Sequence, residues 1–453
     1  MARPGRDRLH SLLAREQERF EEQHPRSRSL ATRAREHLAS GVPMPWMVRW
    51  AGGFPLFVET ASGARFVDVD GREYVDFCLG DSGAMTGHAP AAAVAAIRSQ
   101  LDRGLTFMLP TEDAITVAAE LARRFGLPYW QIATTATAAN RFATRLARRI
   151  TGRPRILVFN WCYHGTVDET FAILEDGRVV ARPGNLGPPV DPALTTRVVE
   201  WNDFAGLERE LAAGDVACVL AEPAMTNIGI VLPAPGFHAH LRAATRRAGT
   251  LLILDETHTL SAGPGGCTLR DGLEPDFVTV GKPLASGLAA AAYGFSADVA
   301  SRVQESIRLD EADTGGIGGT LAGNALVLAA MRATLLEVLT DDAYARMFRL
   351  AERFAAGVEA TIAEQSLPWV VQRLGARVEY WFRDQPPANG GEAAASSDPE
   401  LDRYMHLASL NRGILMTPFH NMALMSPATT DDDVDRHTAV FRDSVTALLG
   451  EGA

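Results

Sequence analysis

Lys282 is the only lysine in this 453-residue chain, so 43 of its 44 basic residues are arginines. An ammonium sheds its proton when desolvated and can then attack a carbonyl carbon, whereas a guanidinium stays protonated. The one retained amine is therefore a candidate Schiff-base lysine, against the plainer alternative of a surface lysine in an arginine-rich chain. Its surroundings favour chemistry. Leu254-Asp255-Glu256-Thr257-His258 closes an apolar run with two carboxylates, and Lys282 closes the next such run, 282 − 255 = 27 residues after Asp255. A carboxylate and an amine at the ends of neighbouring strands can face one ligand from opposite sides. Ile132-Ala133-Thr134-Thr135-Ala136-Thr137-Ala138-Ala139-Asn140 precedes a helical segment ending near Ile150, where hydroxyls, backbone N–H groups and the helix dipole together suit an anion or phosphate. Asn160-Trp161-Cys162-Tyr163-His164-Gly165 offers aromatic faces and a glycine that allows close approach, and Gly315-Gly316-Ile317-Gly318-Gly319-Thr320 offers a second phosphate contact. Each motif alone reads as an N-cap, a turn, a packed side chain or a loop. Their common order and spacing is what singles them out.

Such groups need a scaffold that brings distant segments to one edge. Ile156–Phe159, Ala217–Ala221, Leu251–Leu254 and Phe277–Val280 are near-continuous apolar runs, as expected of strands buried on both faces, and the helical stretches between them imply a mainly parallel α/β sheet. Ligands of such sheets sit beyond the carboxyl ends of the strands, where these polar groups fall. Before this region, the alternation in Phe66–Phe77 predicts a β-hairpin turning at Asp70-Gly71, preceded by a polar helical lead-in with a weak stripe of Leu9, Leu12, Leu13 and Phe20. After Gly323 the chain reads as amphipathic helix through Gln365, then a strand over Ala376–Phe382, then a flexible loop over Gln385–Pro399. The expected division is an N-terminal segment over 1–80, a large α/β domain over 81–330 and a C-terminal α+β domain over 331–453.

Composition narrows the classes. A net charge of −11 and 47% apolar residues fit a soluble globular protein and argue against a nucleic-acid partner, which needs clustered basic residues to neutralise phosphates. Cys78, Cys162, Cys218 and Cys267 are far apart with no CxxC pair, so no metal site or disulfide framework is expected and reduced cytoplasmic thiols are. No window approaches the roughly 20 apolar residues that span a bilayer, and Met1–Glu22 does not resemble a signal peptide.

Together, Thr135-Ala136-Thr137, Tyr163-His164-Gly165, Glu222-Pro223, Asp255-Glu256, Lys282 and Gly319-Thr320, with the earlier Asp68-Val69-Asp70-Gly71 and Thr86-Gly87-His88, resemble the class III pyridoxal-phosphate aminotransferases of fold type I, over roughly residues 40 to 445. The resemblance implies a seven-stranded-type, mainly parallel large domain and a small α+β domain built from both chain ends. It implies pyridoxal 5'-phosphate held by Lys282, which also moves the substrate proton, with Asp255 pairing the pyridine nitrogen so that the ring stays an electron sink. Tyr163 and Thr257 would cover the two ring faces, Thr135, Ala136 and Thr137 would hold the phosphate, and His164 and Glu222 would lie beside the cofactor. Thr320 would reach the phosphate in a partner subunit, implying a homodimer with shared active sites.

Departures from the family pattern bear on substrate. The phosphate loop has Thr135-Ala136 where the family has Ser-Gly. Relatives such as glutamate-1-semialdehyde aminomutase and β-amino acid aminotransferases clamp a carboxylate with arginine in the N-terminal segment. Here Met44, Trp46 and Met47 stand there with Arg49 displaced, and Thr417-Pro418-Phe419-His420-Asn421-Met422 lacks the later arginine. A pocket of Met44, Trp46, Met47, Phe419 and Met422, with Arg49 and His420 as remaining carboxylate binders, favours an amine or an amino acid whose carboxylate is remote. The expected activity is a ping-pong aminotransferase moving an amino group from an amine or amino acid to a carbonyl acceptor. An aminomutase or racemase, and a non-catalytic binding protein on this fold, are the alternatives.

Overall fold

The computed structural model describes residues 5–306, 315–418 and 420–450. The chain forms two compact units, one of residues 1–90, 342–386 and 396–453, the other of residues 91–341 and 387–395.

The second unit is built on a seven-stranded sheet ordered Tyr129–Ala133, Ala291–Phe295, Phe277–Val280, Leu251–Asp255, Val216–Ala221, Arg155–Phe159 and Thr196–Val199. Only Ala291–Phe295 runs antiparallel to its neighbours; the other ladders are parallel. The four apolar runs expected to be strands are strands, and Val216–Ala221, Leu251–Asp255 and Phe277–Val280 are buried throughout. Both faces are covered, so the polar side chains in these three strands are Thr279 and the terminal Asp255, both hydrogen-bonded to Asn140, and the sequence loses the alternation of a half-exposed sheet. The antiparallel strand Ala-Ala-Tyr-Gly-Phe carries little strand propensity of its own. It is fixed by ladders on both sides and by Gly294, where a Cβ would lie 2.5 Å from the Trp130 ring.

In the first unit Arg65–Asp68 and Glu73–Asp76 form the expected hairpin. Its turn is closed by Asp68, whose Oδ1 accepts from the N–H groups of Asp70 and Arg72, with Gly71 at φ +82°. Val58–Ser62 and Ile414–Leu415 complete a four-stranded sheet, and Val370–Leu374, Arg377–Trp381 and Met422–Leu424 form a second sheet of three strands. The lead-in is two helices, Arg6–Gln23 and Pro25–Ala34; Leu9, Leu12 and Phe20 are buried, and the first helix packs on Pro399–Leu410. The loop expected over Gln385–Pro399 instead contains the helix Gly390–Ala395. Asn389 starts it by accepting from the Glu392 N–H, and Glu200 accepts from the Gly391 N–H, so side-chain capping orders a segment whose composition reads as coil. The four cysteines are free and buried, and no helix among the described residues is long and apolar enough to cross a membrane.

Candidate active site

Parallel strands share one carboxyl edge. The register pairs Asp255 with Thr279 and Leu254 with Ala221, so Lys282, Asp255 and Glu222 all follow strand ends at the same level of the sheet. Tyr129–Ala133 points the same way and delivers Thr135 to that edge, capping the helix Ala136–Thr151 by accepting from the Ala138 N–H at 3.1 Å.

Three close approaches draw the motifs together. A Cβ on Gly281 would meet the Cβ of Ala136 at 3.0 Å, so the residue before Lys282 lies against the helix start. A Cβ on Gly165, which sits at φ +77°, would fall 2.1 Å from Oγ1 of Thr137, and that hydroxyl accepts from the Thr166 N–H. Asn140, one turn into the helix, donates through Nδ2 to Asp255 at 2.8 Å and to the His164 carbonyl at 3.1 Å, while its Oδ1 accepts from Thr279 at 2.6 Å. Both threonine hydroxyls accept from backbone and keep an O–H to donate, and the first N–H groups of a helix have no intrahelical acceptor. This is a donor-rich end suited to a phosphate.

Asp255 is almost fully buried and ionised. Burial pushes its carboxyl up, but the His164 imidazole (Nδ1 to Oδ2, 2.9 Å), the Thr257 N–H (3.0 Å) and Asn140 outweigh this and hold it at about 2. Burial pushes His164 down, and the neighbouring Cys162 and Asp255 prevail and raise it. The next residue has a different fate: Glu256 points to the other side of the strand end, where its carboxylate accepts from Thr259, Cys267 and Thr268. Of the two adjacent carboxylates, one serves the site and the other fixes the loop behind it. Buried Thr257 Oγ1 and His164 Nε2 have no hydrogen-bond partner among the described residues. Tyr163 is half-buried, edge-on to Phe171.

Glu222 accepts from the Thr226 hydroxyl and N–H, and burial raises its carboxyl from near 4.5 to about 7. The native state then keeps a proton that the unfolded chain releases near pH 4.5, so stability falls as pH rises between those values. Glu222→Gln is expected to remove this slope: its unfolding free energy relative to wild type, from urea titrations, should grow by about 3 kcal/mol between pH 4.5 and 7.5. A difference constant with pH would contradict a protonated Glu222.

Lys282 follows the strand at φ +51°, in the left-handed region and directly before Pro283. A residue before proline is normally extended, so this is strain of the kind that concentrates at functional sites. Its Nζ lies 2.8 Å from Nε2 of His258. The sequence by itself does not single out His258 or Asn140 as a site residue. The available signal for Asn140 is an amide on a helix face otherwise made of Ala, Phe, Leu and one threonine; for His258 it is only proximity to Asp255.

Thr320 is exposed in a turn of the second unit. Met44, Trp46, Met47 and Arg49 belong to the first unit, on or beside the turn Pro45–Val48; Met44 and Met47 are 41% and 39% exposed. Arg49 lines a cavity of about 430 Å³ with Asp402, Arg403 and His406. His420 is bonded to Glu379 at 2.7 Å; burial lowers its pKa, but Glu379 raises it on balance. Met422 is fully buried in its strand, and Phe419 lies outside the described residues. Although 417–422 contains no arginine, fully buried Arg377 on the neighbouring strand reaches the Met422 sulfur at 2.8 Å.

Residues 47–445 match the aminotransferase class-III family. A glutamate-1-semialdehyde 2,1-aminomutase of Desulfitobacterium hafniense is 34% identical, over 94% of this chain and 99% of its own length. A crystal structure of a glutamate-1-semialdehyde aminomutase from Pseudomonas aeruginosa superimposes with a TM-score of 0.96 at 52% identity, covering 98% of this chain and 99% of that one; a lysine-to-alanine variant of that protein has also been crystallised with PMP. An ω-transaminase from Sphaerobacter thermophilus gives 0.85 at 29% identity, covering 94% and 98%. A donor-rich helix start, a buried ionised carboxylate and a strained lysine at one sheet edge fit a cofactor with a phosphate, a basic ring nitrogen and an aldehyde. The chain belongs to the class III aminotransferases, a pyridoxal-phosphate-dependent family of fold type I.

Proposed function

We propose that this chain moves an amino group between an amine or amino acid and a carbonyl compound, with release of the carbonyl product of the donor. The observation that carries this is the placement of Lys282 and the ionised Asp255 at adjacent strand ends of one sheet. When bound, pyridoxal phosphate supplies the electron sink that makes a carbon next to nitrogen acidic. Lys282 binds it through Nζ and then carries the proton lost by the donor carbon. Asp255, held by His164, Asn140 and Thr257, keeps a proton on the ring nitrogen by charge pairing. Thr135, Ala136 and Thr137 orient the phosphate, and Tyr163 and Thr257 bound the ring faces. Thr320 serves the phosphate of a second copy of the chain. Met44, Trp46 and Met47, with arginine absent from 41–48, support a donor with an apolar substituent.

The second reading is an aminomutase, favoured by the likeness to the Desulfitobacterium and Pseudomonas proteins. One experiment separates the two. The loaded enzyme is mixed in stoichiometric amount with 1-phenylethylamine, β-phenylalanine or alanine in one series and with glutamate-1-semialdehyde in another, and products are followed by mass spectrometry. Release of a ketone or keto acid equal to the active sites supports transamination. Movement of the amino group from carbon 2 to carbon 1 of the semialdehyde, with no keto product from the amines, supports the mutase and overturns the first reading.

A further inference from the structure

His258 is 7% exposed, and its carbonyl accepts from the Ser261 hydroxyl at 2.9 Å and from the Ser261 N–H at 3.3 Å. The ring therefore has little freedom, and it places Nε2 2.8 Å from Nζ of Lys282. A nitrogen-to-nitrogen contact of this length holds one hydrogen: either an ammonium donates to a neutral imidazole, or an imidazole N–H donates to a neutral amine. An amine that must act as nucleophile and base has to lose and regain a proton, and ammonium offers no acceptor of its own. Three carboxyl groups at this edge have partners of their own: Asp255 bonds to His164 and Asn140, Glu222 to Thr226, and Glu256 to Thr259 and Thr268.

We propose that His258 is the proton partner of Lys282. The N–H bond on the Nζ ammonium breaks, its electron pair stays on Nζ as the nucleophilic lone pair, and the proton bonds to Nε2 to give imidazolium; the reverse step returns it. No other reactant is required. The proposal rests on Lys282 being the reacting amine.

The single lysine makes a direct test available. Reductive methylation of the cofactor-free full-length protein with ¹³C-formaldehyde gives one dimethyl-lysine NMR signal, distinct from the terminal amine. Titrated between about pH 5 and 10, this signal is expected to show, besides the amine's own step, a second inflection from the imidazole that disappears in His258→Gln. A wild-type curve without that inflection, or one that survives the substitution, overturns the proposal. In the loaded enzyme, His258→Ala should lower kcat by about 10- to 100-fold with KM changed less than about threefold, and added imidazole should restore turnover; failure of rescue in a folded variant also counts against it. Borohydride reduction of the loaded protein tests the underlying assignment separately. If the cofactor is not fixed to the Lys282 peptide, that assignment fails whatever the titration shows.

Discussion

Lys282→Ala is expected to lower turnover at least about 10³-fold, because one side chain is asked to act as both nucleophile and proton carrier. Arginine cannot replace it: a guanidinium is charged at every working pH and has no lone pair to offer. The variant contains no lysine, so borohydride treatment of the loaded protein should leave no cofactor covalently fixed to any lysine. Folding should be little affected or improved, since alanine carries no long side chain to order. Alanine keeps the positive φ of +51°, however, and so keeps the local backbone strain. Steady-state kinetics, dialysis of the cofactor and a thermal melt read these outcomes together. A variant retaining more than a tenth of wild-type kcat would remove Lys282 from the mechanism.

Asp255→Asn should lower kcat by about 10²- to 10³-fold while leaving the fold intact. Asparagine fills the same volume and its carbonyl oxygen can still accept from the Thr257 N–H, which now reaches Oδ1 at 3.0 Å. What disappears is the charge. Without it the proton on the cofactor nitrogen has no counter-ion, and the electron sink weakens. His164, raised by the pair, should then lose its extra proton, because a buried imidazolium without a partner is costly. An NMR titration of His164 should therefore move downward in the variant, independently of activity. In the wild type the depressed carboxylate stabilises the fold above its unfolded value near pH 4, and this contribution is lost as pH falls towards about 2. An Asp255→Asn enzyme with kcat within tenfold of wild type would show that the carboxylate is not the nitrogen's partner.

The sequence alone determined the large sheet's central strands, because burial on both faces strips polar residues from them and leaves runs readable without any partner. It also isolated Lys282, whose chemistry no other residue of the chain duplicates, and the hairpin at Asp70-Gly71, whose turn residues act locally. Tertiary structure decided what local pattern could not carry. Asp255 and Glu256 are adjacent carboxylates of which the family resemblance singles out Asp255, and the alternation of side chains at the strand end shows why: it sends Glu256 to the loop at Thr268. Ala291–Phe295 has alanines and a glycine where strands prefer branched residues, and becomes a strand because ladders on both sides supply the hydrogen bonds. Gly390–Ala395 becomes a helix because Asn389 and Glu200, 189 residues apart, supply its first hydrogen bonds. His258 acquired its neighbour the same way: 24 residues separate it from Lys282, and a 2.8 Å contact between them exists only once two parallel strands are in register.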